Sequence, residues 1–380
     1  PSSLIDIAVQ RFRIPCLMTL ADYFLLCPSL KLYNHEKKEN CTQGAGVGPA
    51  CVACIEHAPA RARNDILESV GLVLRQFELR FRLRKTRWWY YVMLSCYNLY
   101  VWLNRFRFSP LRSPGTGSPD PAGTPDRKAL ARAYERRRST NLERLGRIDC
   151  LVARSQKVQQ IYAGYLGTQR RLRVVNPYLH HIDRILPKSM TSGIKRVRFA
   201  TLNGFASQQK GGLVLTGAVA ALNRKGYADR YEIHSFGGLQ EGYKQRLEQE
   251  PNFFDHGLYE GEDLNDLLQP MHVGIVPSVW EEVFGYVGLE LQAKGLPVIG
   301  SRRGGITDYV THGVNGLLND SCSVSELASC MEDYIRDPDT IVRHNRNILA
   351  DTSSNYAGHY AMLMDAYYTI ISRGDSHDRY

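Results

Sequence analysis

Short apolar runs alternate with longer amphipathic stretches along the chain from residue 149 onward. The apolar runs predict β-strands, and they read CLVARS, RLRVVNPYL, KRVRFATLNG, YEIHSFGG, VGIVPS and LPVIGS. The stretches between them predict helices, and they read QKVQQIYAGYLG, GGLVLTGAVAALNRKG, DLNDLLQPM and FGYVGLELQAKG. Strands that alternate with helices are typical of parallel sheets built from βαβ units. The pattern therefore predicts an α/β fold, with one complete doubly wound domain over residues 195–350.

The N-terminal part of the chain is less regular. Residues 14–28, IPCLMTLADYFLLCP, predict a buried strand followed by a loop, and residues 34–60 predict a loop. A proline-free stretch at 65–107 predicts a helix, and a basic polar stretch at 127–145 predicts another. Between them, residues 109–126 are rich in proline, glycine and serine and predict an exposed linker. This part therefore gives a weaker fold signal than the part that follows it.

The positive charge is concentrated in the N-terminal part. The formal net charge is +10, and arginine is enriched between Arg61 and Arg173. Such a zone indicates an anionic partner: a phospholipid, a nucleic acid or a phosphorylated substrate. The alternative is a basic surface that contacts only solvent. No apolar run reaches the roughly 18 residues of a membrane-spanning helix, and no secretory signal is evident. Nine cysteines without a sign of an oxidising compartment predict reduced thiols and a cytoplasmic protein.

Acidic residues stand at both ends of an apolar, glycine-containing run, EEVFGYVGLE at 281–290. Glu282 follows a predicted strand, and ligands of doubly wound sheets bind beyond the carboxyl ends of strands. The next helix is predicted to start near Phe284, where free N–H groups and the close approach allowed by Gly285 suit a phosphate. Glu290 lies further along that helix, and a carboxylate accepts hydrogen bonds from the vicinal hydroxyls of a ribose. The layout suits a nucleotide sugar; the alternative is a pair of surface glutamates favoured by the helix dipole.

A longer segment resembles the donor site of a known family. PSVWEEVFGYVGLELQAKGLPVIGSRRGGITDYVTHGVNGLL resembles the corresponding segment of retaining glycosyltransferases of the GT-B fold, in the large family 4, or glycosyl transferases group 1. That family has two glutamates separated by seven residues, and Glu282 and Glu290 match them. Phe284, Gly285 and the later GLPVIGS and GGI also match. The resemblance runs from about residue 10 to the C terminus and is weak across 56–145.

The resemblance implies a GT-B architecture, in which two Rossmann-like parallel-sheet domains face a cleft. Residues 1–190 would form the acceptor-side domain, with a cysteine-rich loop at 27–54, the basic aromatic helical insert at 65–107 and the linker. Residues 191–355 would form the nucleotide-sugar-binding domain, and a C-terminal helix and tail at 356–380 would pack back towards the N-terminal domain. The family usually has several strand–helix units before this point. We therefore expect a chain that is a fragment of a longer one; the alternative is an N-terminal domain that is itself incomplete, which would put activity in doubt.

Individual residues take their roles from the same resemblance. Glu282 would contact the transferred sugar and Lys210 would neutralise the diphosphate leaving group, so these are the expected catalytic residues. The expected donor-binding residues are Glu290, Gly204, Phe284, Gly285, Tyr286 and Val287. Two positions depart from the family pattern. Phe205 stands where an arginine often precedes the lysine, and Ala21 stands where a histidine often precedes Asp22.

The implied activity is transfer of a sugar, with retention at the anomeric carbon, from a nucleoside diphosphate sugar to a glycan or lipid-linked acceptor in surface polysaccharide synthesis. The family resembles metal-independent enzymes, so no cofactor is expected for catalysis, and no nucleic-acid-binding module is visible. The alternative is a non-catalytic sugar-nucleotide-binding remnant or partner subunit, which the departures at Ala21 and Phe205 favour. A sugar-nucleotide epimerase would need catalytic acids in the N-terminal half, where none is found.

Four cysteines fall close together in the sequence: Cys27, Cys41, Cys51 and Cys54, the last two within CVAC. Four thiolates can hold a structural zinc ion tetrahedrally in a loop that has little core of its own. Buried free thiols and disulfides are the alternatives. The sequence leaves all three states open.

A basic aromatic segment, RFRLRKTRWWYYVMLSCYNLYVWLNRFRF at 80–108, places aromatic and apolar residues between arginines. Trp and Tyr favour the membrane interface, and Arg favours anionic headgroups. The segment predicts peripheral contact with the inner face of an anionic membrane. The alternative is an amphipathic helix that covers the acceptor-side domain, with Trp88, Trp89 and Trp102 in the core.

Overall fold

The computed structural model describes the greater part of the chain, in seven pieces. The described residues are 3–41, 48–58, 126–168, 171–202, 205, 207–351 and 356–374. The predicted helical insert at 65–107, the basic aromatic segment, the linker up to residue 125, and Gly204 lie outside these residues. The predictions made for them stay predictions.

The N-terminal half contains a small parallel sheet. The strands of this half of the chain are β1 (Leu17–Leu20), β2 (Tyr33–Asn34), β3 (Glu39–Asn40), β4 (Cys150–Ala153) and β5 (Leu172–Val174). β1, β4 and β5 form a three-stranded parallel sheet in the order β1-β4-β5, and β2 and β3 form a separate antiparallel hairpin. Its helices are α1 (Ser3–Asp6), α2 (Gly48–Glu56), α3 (Arg127–Leu145) and α4 (Gln156–Leu166), and a π-helical turn covers Ile7–Arg11. We call this part the smaller unit.

The C-terminal half is built around a larger parallel sheet. Its strands are β6 (Val197–Thr201), β7 (Tyr231–Ser235), β8 (Phe253–Asp255), β9 (Val273–Val276), β10 (Val298–Ser301) and β11 (Gly316–Asn319), in the order β11-β10-β9-β6-β7-β8. Its helices are α5 (Gly212–Arg224), α6 (Glu241–Leu247), α7 (Leu264–Leu268), α8 (Val287–Ala293), α9 (Val324–Arg336) and α10 (Asp339–Ala350). A last helix, α11 (Tyr356–Gly374), follows. The predicted α/β class with parallel sheets is confirmed, and we call the six-stranded part the larger unit.

Local sequence signals explain several helix boundaries. α3 begins after Asp126, whose carboxylate accepts a hydrogen bond from the Lys128 N–H at 2.9 Å. α4 begins after Ser155, whose hydroxyl accepts from the Val158 N–H at 3.2 Å, and it ends at Gly167 in a left-handed conformation. These caps satisfy N–H groups that the first helical turn leaves without a partner.

Two predicted boundaries are wrong. Residues 34–60 were expected to be a loop, but they contain the β2–β3 hairpin and α2. Gly48 and Pro49, which suggested a loop, lie in the first turn of α2, where proline loses no helical hydrogen bond. The helix expected to start near Phe284 begins at Val287, because Gly285 adopts φ 80° and interrupts the helical backbone before that point.

Apolar residues cover both faces of the larger sheet. Alternate residues of β6 contribute to different clusters: Phe199 packs with α5 and α9 on one face, and Ala200 packs with α8 on the other. A third cluster fills the smaller unit and includes Val283 and Trp280 from the larger unit. The segment around Glu282 is therefore anchored in the core of the smaller unit.

The last helix packs on the smaller unit. Ala366 and Ile370 of α11 join a cluster with Cys150, Val152 and Val175 from β4 and the end of β5. The imidazole of His359 bonds to the Asn176 carbonyl at 2.8 Å. The chain thus returns to the small sheet after it has completed the large one.

The stability of the protein is expected to fall as the pH drops from 7 to 5, with His272 as a contributor. Burial, with added effects of Lys188 and Arg198, lowers the pKa of His272 from 6.5 to about 4. Its Nδ1 accepts a hydrogen bond from the Arg198 N–H at 3.0 Å, which requires the neutral ring. Between pH 4 and pH 6.5, His272 binds a proton in the unfolded chain but not in the folded chain. The contribution is therefore complete above pH 6.5 and is lost as the pH falls towards 4.

Urea unfolding at pH 7 and pH 5 tests this expectation. Between pH 6.5 and 5, His272 contributes at most about 2 kcal/mol to the loss of unfolding free energy. The variant His272→Asn keeps an acceptor for the Arg198 N–H but does not titrate. It should lose less stability than the wild type over this interval, and an equal loss in both proteins would contradict the assignment.

Candidate functional site

Two segments meet beyond the carboxyl ends of β6 and β9. After β6 the chain makes a 3₁₀ turn, Gln208–Lys210, that ends at Gly211 with φ 81°. A Cβ at Gly211 would lie 1.9 Å from the carbonyl oxygen of Pro277, directly after β9, so only glycine allows this approach. The Val279 N–H donates to the Gln209 carbonyl at 2.9 Å. These contacts fix Lys210 beside the segment that carries Glu282.

Lys210 and Glu282 form an ion pair at this junction. The Lys210 Nζ lies 2.6 Å from Glu282 Oε1, and the Ser278 hydroxyl donates to the same oxygen at 2.8 Å. The Glu282 side chain is only 6% exposed, whereas that of Lys210 is 31% exposed. Lys210 also lies over the Trp280 ring, 5.9 Å from its centroid. The pair joins a buried carboxylate to a cation that a ligand can reach.

The backbone of Glu282 is held by the turn after β10. The Gly305 N–H donates to the Glu282 carbonyl at 2.8 Å, and the Gly304 N–H donates to Glu281 Oε2 at 2.7 Å. The other oxygen of Glu281 accepts from the Asn40 amide of the smaller unit at 3.5 Å. Of the two adjacent acids, Glu281 therefore ties loops together, and Glu282 faces Lys210.

Glu290 in α8 is a second buried carboxylate. Its side chain is 12% exposed, and Oε1 lies 2.8 Å from Nε2 of His181. Oε2 is buried and has no hydrogen-bond donor among the residues that the structure describes. Burial raises the pKa of Glu290, and His181 partly offsets this effect. A buried acceptor atom without a donor is costly, so it marks a place where a ligand can supply one.

His181 was not predicted from the sequence, although it is the neighbour of Glu290. It belongs to a 3₁₀ segment, His180–Arg184, between the two sheets, and it is 109 residues from Glu290 in the chain. The only local signal is a pair of adjacent histidines in a connecting segment. Ser278 was missed as well, because a lone serine after a strand carries no distinctive pattern.

The turn before α8 presents backbone donors. The Phe284 side chain is buried in the core against Tyr309, with ring centroids 5.5 Å apart, and Gly285 has φ 80°. Tyr286 is exposed, and the guanidinium of Arg154 from the smaller unit lies 6.0 Å from its ring centroid. Within the described part of the chain, no acceptor is found for the N–H groups of Phe284, Gly285 and Tyr286. These N–H groups are our candidates for the donors that an anionic ligand would meet.

The two positions that depart from the family pattern have ordinary structural roles. Phe205 is fully buried in the core of the larger unit, next to α5. Ala21 is exposed directly after β1, and the Asp22 carboxylate accepts from the Phe24 N–H at 2.7 Å. Neither position contributes a charged group to the crevice.

The four clustered cysteines converge in the fold. Cys27, Cys41, Cys51 and Cys54 all line one small cavity, and none of them forms a disulfide among the described residues. Burial raises the pKa of Cys51, and it raises the pKa of Cys54 to about 11. As they stand, no three or more His, Cys, Asp or Glu side chains in the described ranges are arranged to hold a metal ion.

In the described ranges, no helix combines the length and the apolar character that are needed to cross a bilayer.

Gly211→Ala is expected to be more damaging than Gly226→Ala. Both glycines have positive φ, 81° and 86°, but a Cβ at Gly226 meets no atom within 4 Å. Gly226→Ala should therefore cost about 1–2 kcal/mol of unfolding free energy from backbone strain alone. Gly211→Ala should cost about 1–3 kcal/mol more, because its Cβ meets Pro277. Urea unfolding of both variants checks this, and equal losses would contradict the close packing.

The larger unit matches a known protein family. Residues 196–337 match the family described as Glycosyl transferases group 1. A D-inositol 3-phosphate glycosyltransferase of Corynebacterium jeikeium is 29% identical over 229 residues, which cover 55% of this chain and 54% of the relative. One of Pseudarthrobacter chlorophenolicus is 33% identical over 106 residues, 28% of this chain and 25% of the relative. The chain thus spans about half, or less, of the length of these relatives.

A solved structure supports the fold. The S. aureus protein TarM, a mutant in complex with fondaparinux, α-GlcNAc-glycerol and UDP, superposes with a TM-score of 0.50 at 10% identity. The superposition covers 62% of this chain and 46% of TarM. The resemblance to the group 1 family and the GT-B fold class, both inferred from sequence, are confirmed.

Proposed function

Because residues 196–337 match the family described as Glycosyl transferases group 1, we propose that the chain transfers a sugar from a nucleoside diphosphate sugar to a glycan or lipid-linked acceptor. The proposed reaction proceeds with retention at the anomeric carbon and serves surface polysaccharide synthesis. The names of the relatives and the UDP in the TarM complex support a nucleotide-sugar donor. The proposed location is the cytoplasm, with peripheral contact to an anionic membrane through residues 80–108.

The unpartnered oxygen of Glu290 carries this proposal. A buried carboxylate with one oxygen on His181 and the other without a donor suits a ligand with neighbouring hydroxyl groups. A ribose offers two such hydroxyls, and each can donate to a carboxylate oxygen. The surface-glutamate alternative from the sequence does not apply to Glu290, because its side chain is only 12% exposed. Glu290 is therefore our candidate for the ribose of the donor.

Lys210 is placed to act on the leaving group. In the structure its ammonium pairs with Glu282, and its side chain is accessible enough for a ligand phosphate to become a second partner. As the bond between the anomeric carbon and the diphosphate breaks, negative charge grows on the phosphate oxygens. A fixed ammonium and the free N–H groups before α8 stabilise that charge most in the transition state.

Glu282 is proposed to contact the sugar rather than to attack it. Oε1 is already shared by Lys210 and Ser278, which leaves Oε2 for a sugar hydroxyl. The acceptor oxygen would bond to the anomeric carbon on the face that the diphosphate leaves, and its proton would pass to the departing phosphate. This course needs no protein nucleophile and gives retention.

A second candidate is a sugar-nucleotide-binding protein without turnover. The observation in its favour is Phe205, which is fully buried where related enzymes often carry an arginine beside the lysine. With one cation fewer near the diphosphate, the donor could bind while the leaving group stays poorly stabilised.

Calorimetric titration of the wild type with a panel of nucleoside diphosphate sugars tests both candidates. Release of nucleoside diphosphate is followed in the same samples. Binding of one donor with slow hydrolysis supports the transferase and names its donor. Binding without hydrolysis, even with candidate acceptors, supports the second candidate. Absence of binding to every donor, in a sample with a cooperative unfolding transition, overturns the donor site itself.

A further inference from the structure

Three separate pieces of chain bring four sulfur atoms to one cavity in the smaller unit. Cys27 follows the loop after β1, Cys41 follows the hairpin strand β3, and Cys51 and Cys54 lie one turn apart in α2. The cavity that they line has a volume of about 10 Å³. That is about the room of one water molecule, and a bare divalent ion is smaller. Cys27 and Cys54 are buried, and the other two are half-buried.

Several groups around these sulfurs donate hydrogen bonds, although the Tyr33 carbonyl accepts one from the Cys54 thiol at 3.5 Å. The His35 N–H donates to the Cys54 sulfur at 3.3 Å. The guanidinium of Arg138, which is 5% exposed, lies 3.7 Å from the Cys51 sulfur through Nη2. Sulfur in a neutral thiol is a weak acceptor, whereas a metal-bound thiolate is regularly held by donors of this kind. A buried cation also offsets part of the negative charge that four thiolates leave on a divalent ion.

The backbone between Cys27 and Cys41 is held in an unusual shape. Leu30, Leu32 and Lys38 have φ values of 66°, 48° and 58°, although none of them is glycine. Each such residue costs on the order of 1–3 kcal/mol and persists only where the surroundings fix it. The β2–β3 hairpin in this segment has only two residues in each strand. A metal ion bound by Cys27 and Cys41, at the two ends of the segment, would help to hold the backbone in this conformation.

We propose that Cys27, Cys41, Cys51 and Cys54 bind one zinc ion through their four sulfurs. The described side chains are not yet arranged to hold a metal, so binding draws the sulfurs inward around the cavity. The four S–H protons leave to solvent, and four S–Zn bonds form in a tetrahedral, closed site without an open position for catalysis. No oxidation or reduction is involved.

The ion would act on the crevice through the loop that it closes. Asn40, next to Cys41, donates to Glu281, and the ammonium of Lys31 lies 5.8 Å from the Trp280 ring centroid. Both contacts join the loop to the segment that carries Glu282. Zinc would therefore fix the wall that the smaller unit contributes to the site, and this role goes beyond the proposed transfer reaction.

Metal analysis of the full chain tests the proposal. The protein is purified without chelator, under reducing conditions, with any affinity tag removed. We expect one zinc per chain, and we expect Cys51→Ser and Cys54→Ser to abolish it. Cys322→Ser is the matched control, because Cys322 is half-buried in the larger unit, and it should keep the zinc.

Reconstitution with cobalt keeps the test decisive if a cysteine variant fails to fold. After chelation of the wild type, added Co²⁺ should give the intense visible absorption of tetrahedral cobalt with sulfur ligands. Arg138→Lys should weaken cobalt binding by about 10- to 100-fold, as loss of a supporting partner does. Wild type that contains no zinc and gives no such spectrum overturns the proposal. A bound iron ion in place of zinc would also overturn it, and so would a thiol titration that shows disulfides among these cysteines.

Discussion

Lys210→Ala is expected to lower kcat by about 100- to 1,000-fold, because it removes the cation that meets the charge growing on the leaving diphosphate. The donor Kd should rise by a smaller factor. In the ground state the negative charge is spread over the diphosphate oxygens, and the N–H groups before α8 can still bind some of these oxygens. The substitution also leaves Glu282, which is 6% exposed, with Ser278 as its remaining described partner. The expected loss is therefore mainly in the chemical step.

Single-turnover kinetics of donor hydrolysis or transfer, with Kd measured by calorimetry, separates these effects. Lys225→Ala is the matched control, because Lys225 also pairs with a glutamate at 2.6 Å but lies on an exposed face of the larger unit. Urea unfolding of both variants reports any structural damage. A fall in kcat of less than 10-fold, with a folded variant that still binds donor, would contradict the role of Lys210.

Glu290→Ala is expected to raise the donor Kd by roughly 10- to 150-fold. A hydrogen bond to a charged group contributes about 1.5–3 kcal/mol, and the ribose would lose one such bond, to the unpartnered Oε2. The rate constant at saturating donor should change little, because the ribose is remote from the bond that breaks. Calorimetric titration of the wild type and the variant gives both values of Kd.

A donor analogue without the ribose hydroxyls makes the second prediction specific. The wild type should bind this analogue about as weakly as Glu290→Ala binds the full donor, and Glu290→Ala should show no further loss with it. This double-mutant logic isolates the contact between carboxylate and ribose. Glu262→Ala, at an exposed glutamate of the same unit, serves as the control. An equal loss of affinity for both donors in Glu290→Ala would point to a structural effect instead.

Hydrophobic periodicity and the residues that cap helices were sufficient to predict much of the fold. The helix predicted at 127–145 coincides with α3, and four strands of the larger sheet, β6, β7, β9 and β10, lie within the apolar runs that predicted them, whereas β8 and β11 were not predicted. These signals are local, because a cap, a C-terminal glycine or an apolar run acts on its own neighbours. The helix α2 was missed for the same reason: a glycine and a proline break most helices but are tolerated in the first turn.

Contacts between residues that are far apart in the chain could not be predicted from the sequence. Glu282 and Lys210 were identified from a family pattern, but their ion pair depends on Gly211 approaching Pro277, which only the packed sheet brings about. His181 could not be matched to Glu290, since no periodicity links two residues in different elements so far apart. The convergence of four cysteines on one cavity likewise depends on α2 packing against α3, which its loop-like composition did not predict.

The return of α11 to the small sheet has a mechanical consequence. The chain passes from the smaller to the larger unit after β5, and it passes back before α11, whose Ala366 and Ile370 are buried beside β4. Two bodies joined by one connection can swing and twist in every direction. Two connections restrict such motion, because the backbone of both crossings must bend for the units to move apart. Any opening of the crevice beside Glu282 would then bend both crossings together, and it would stretch the contact between Asn40 and Glu281 that joins the two units.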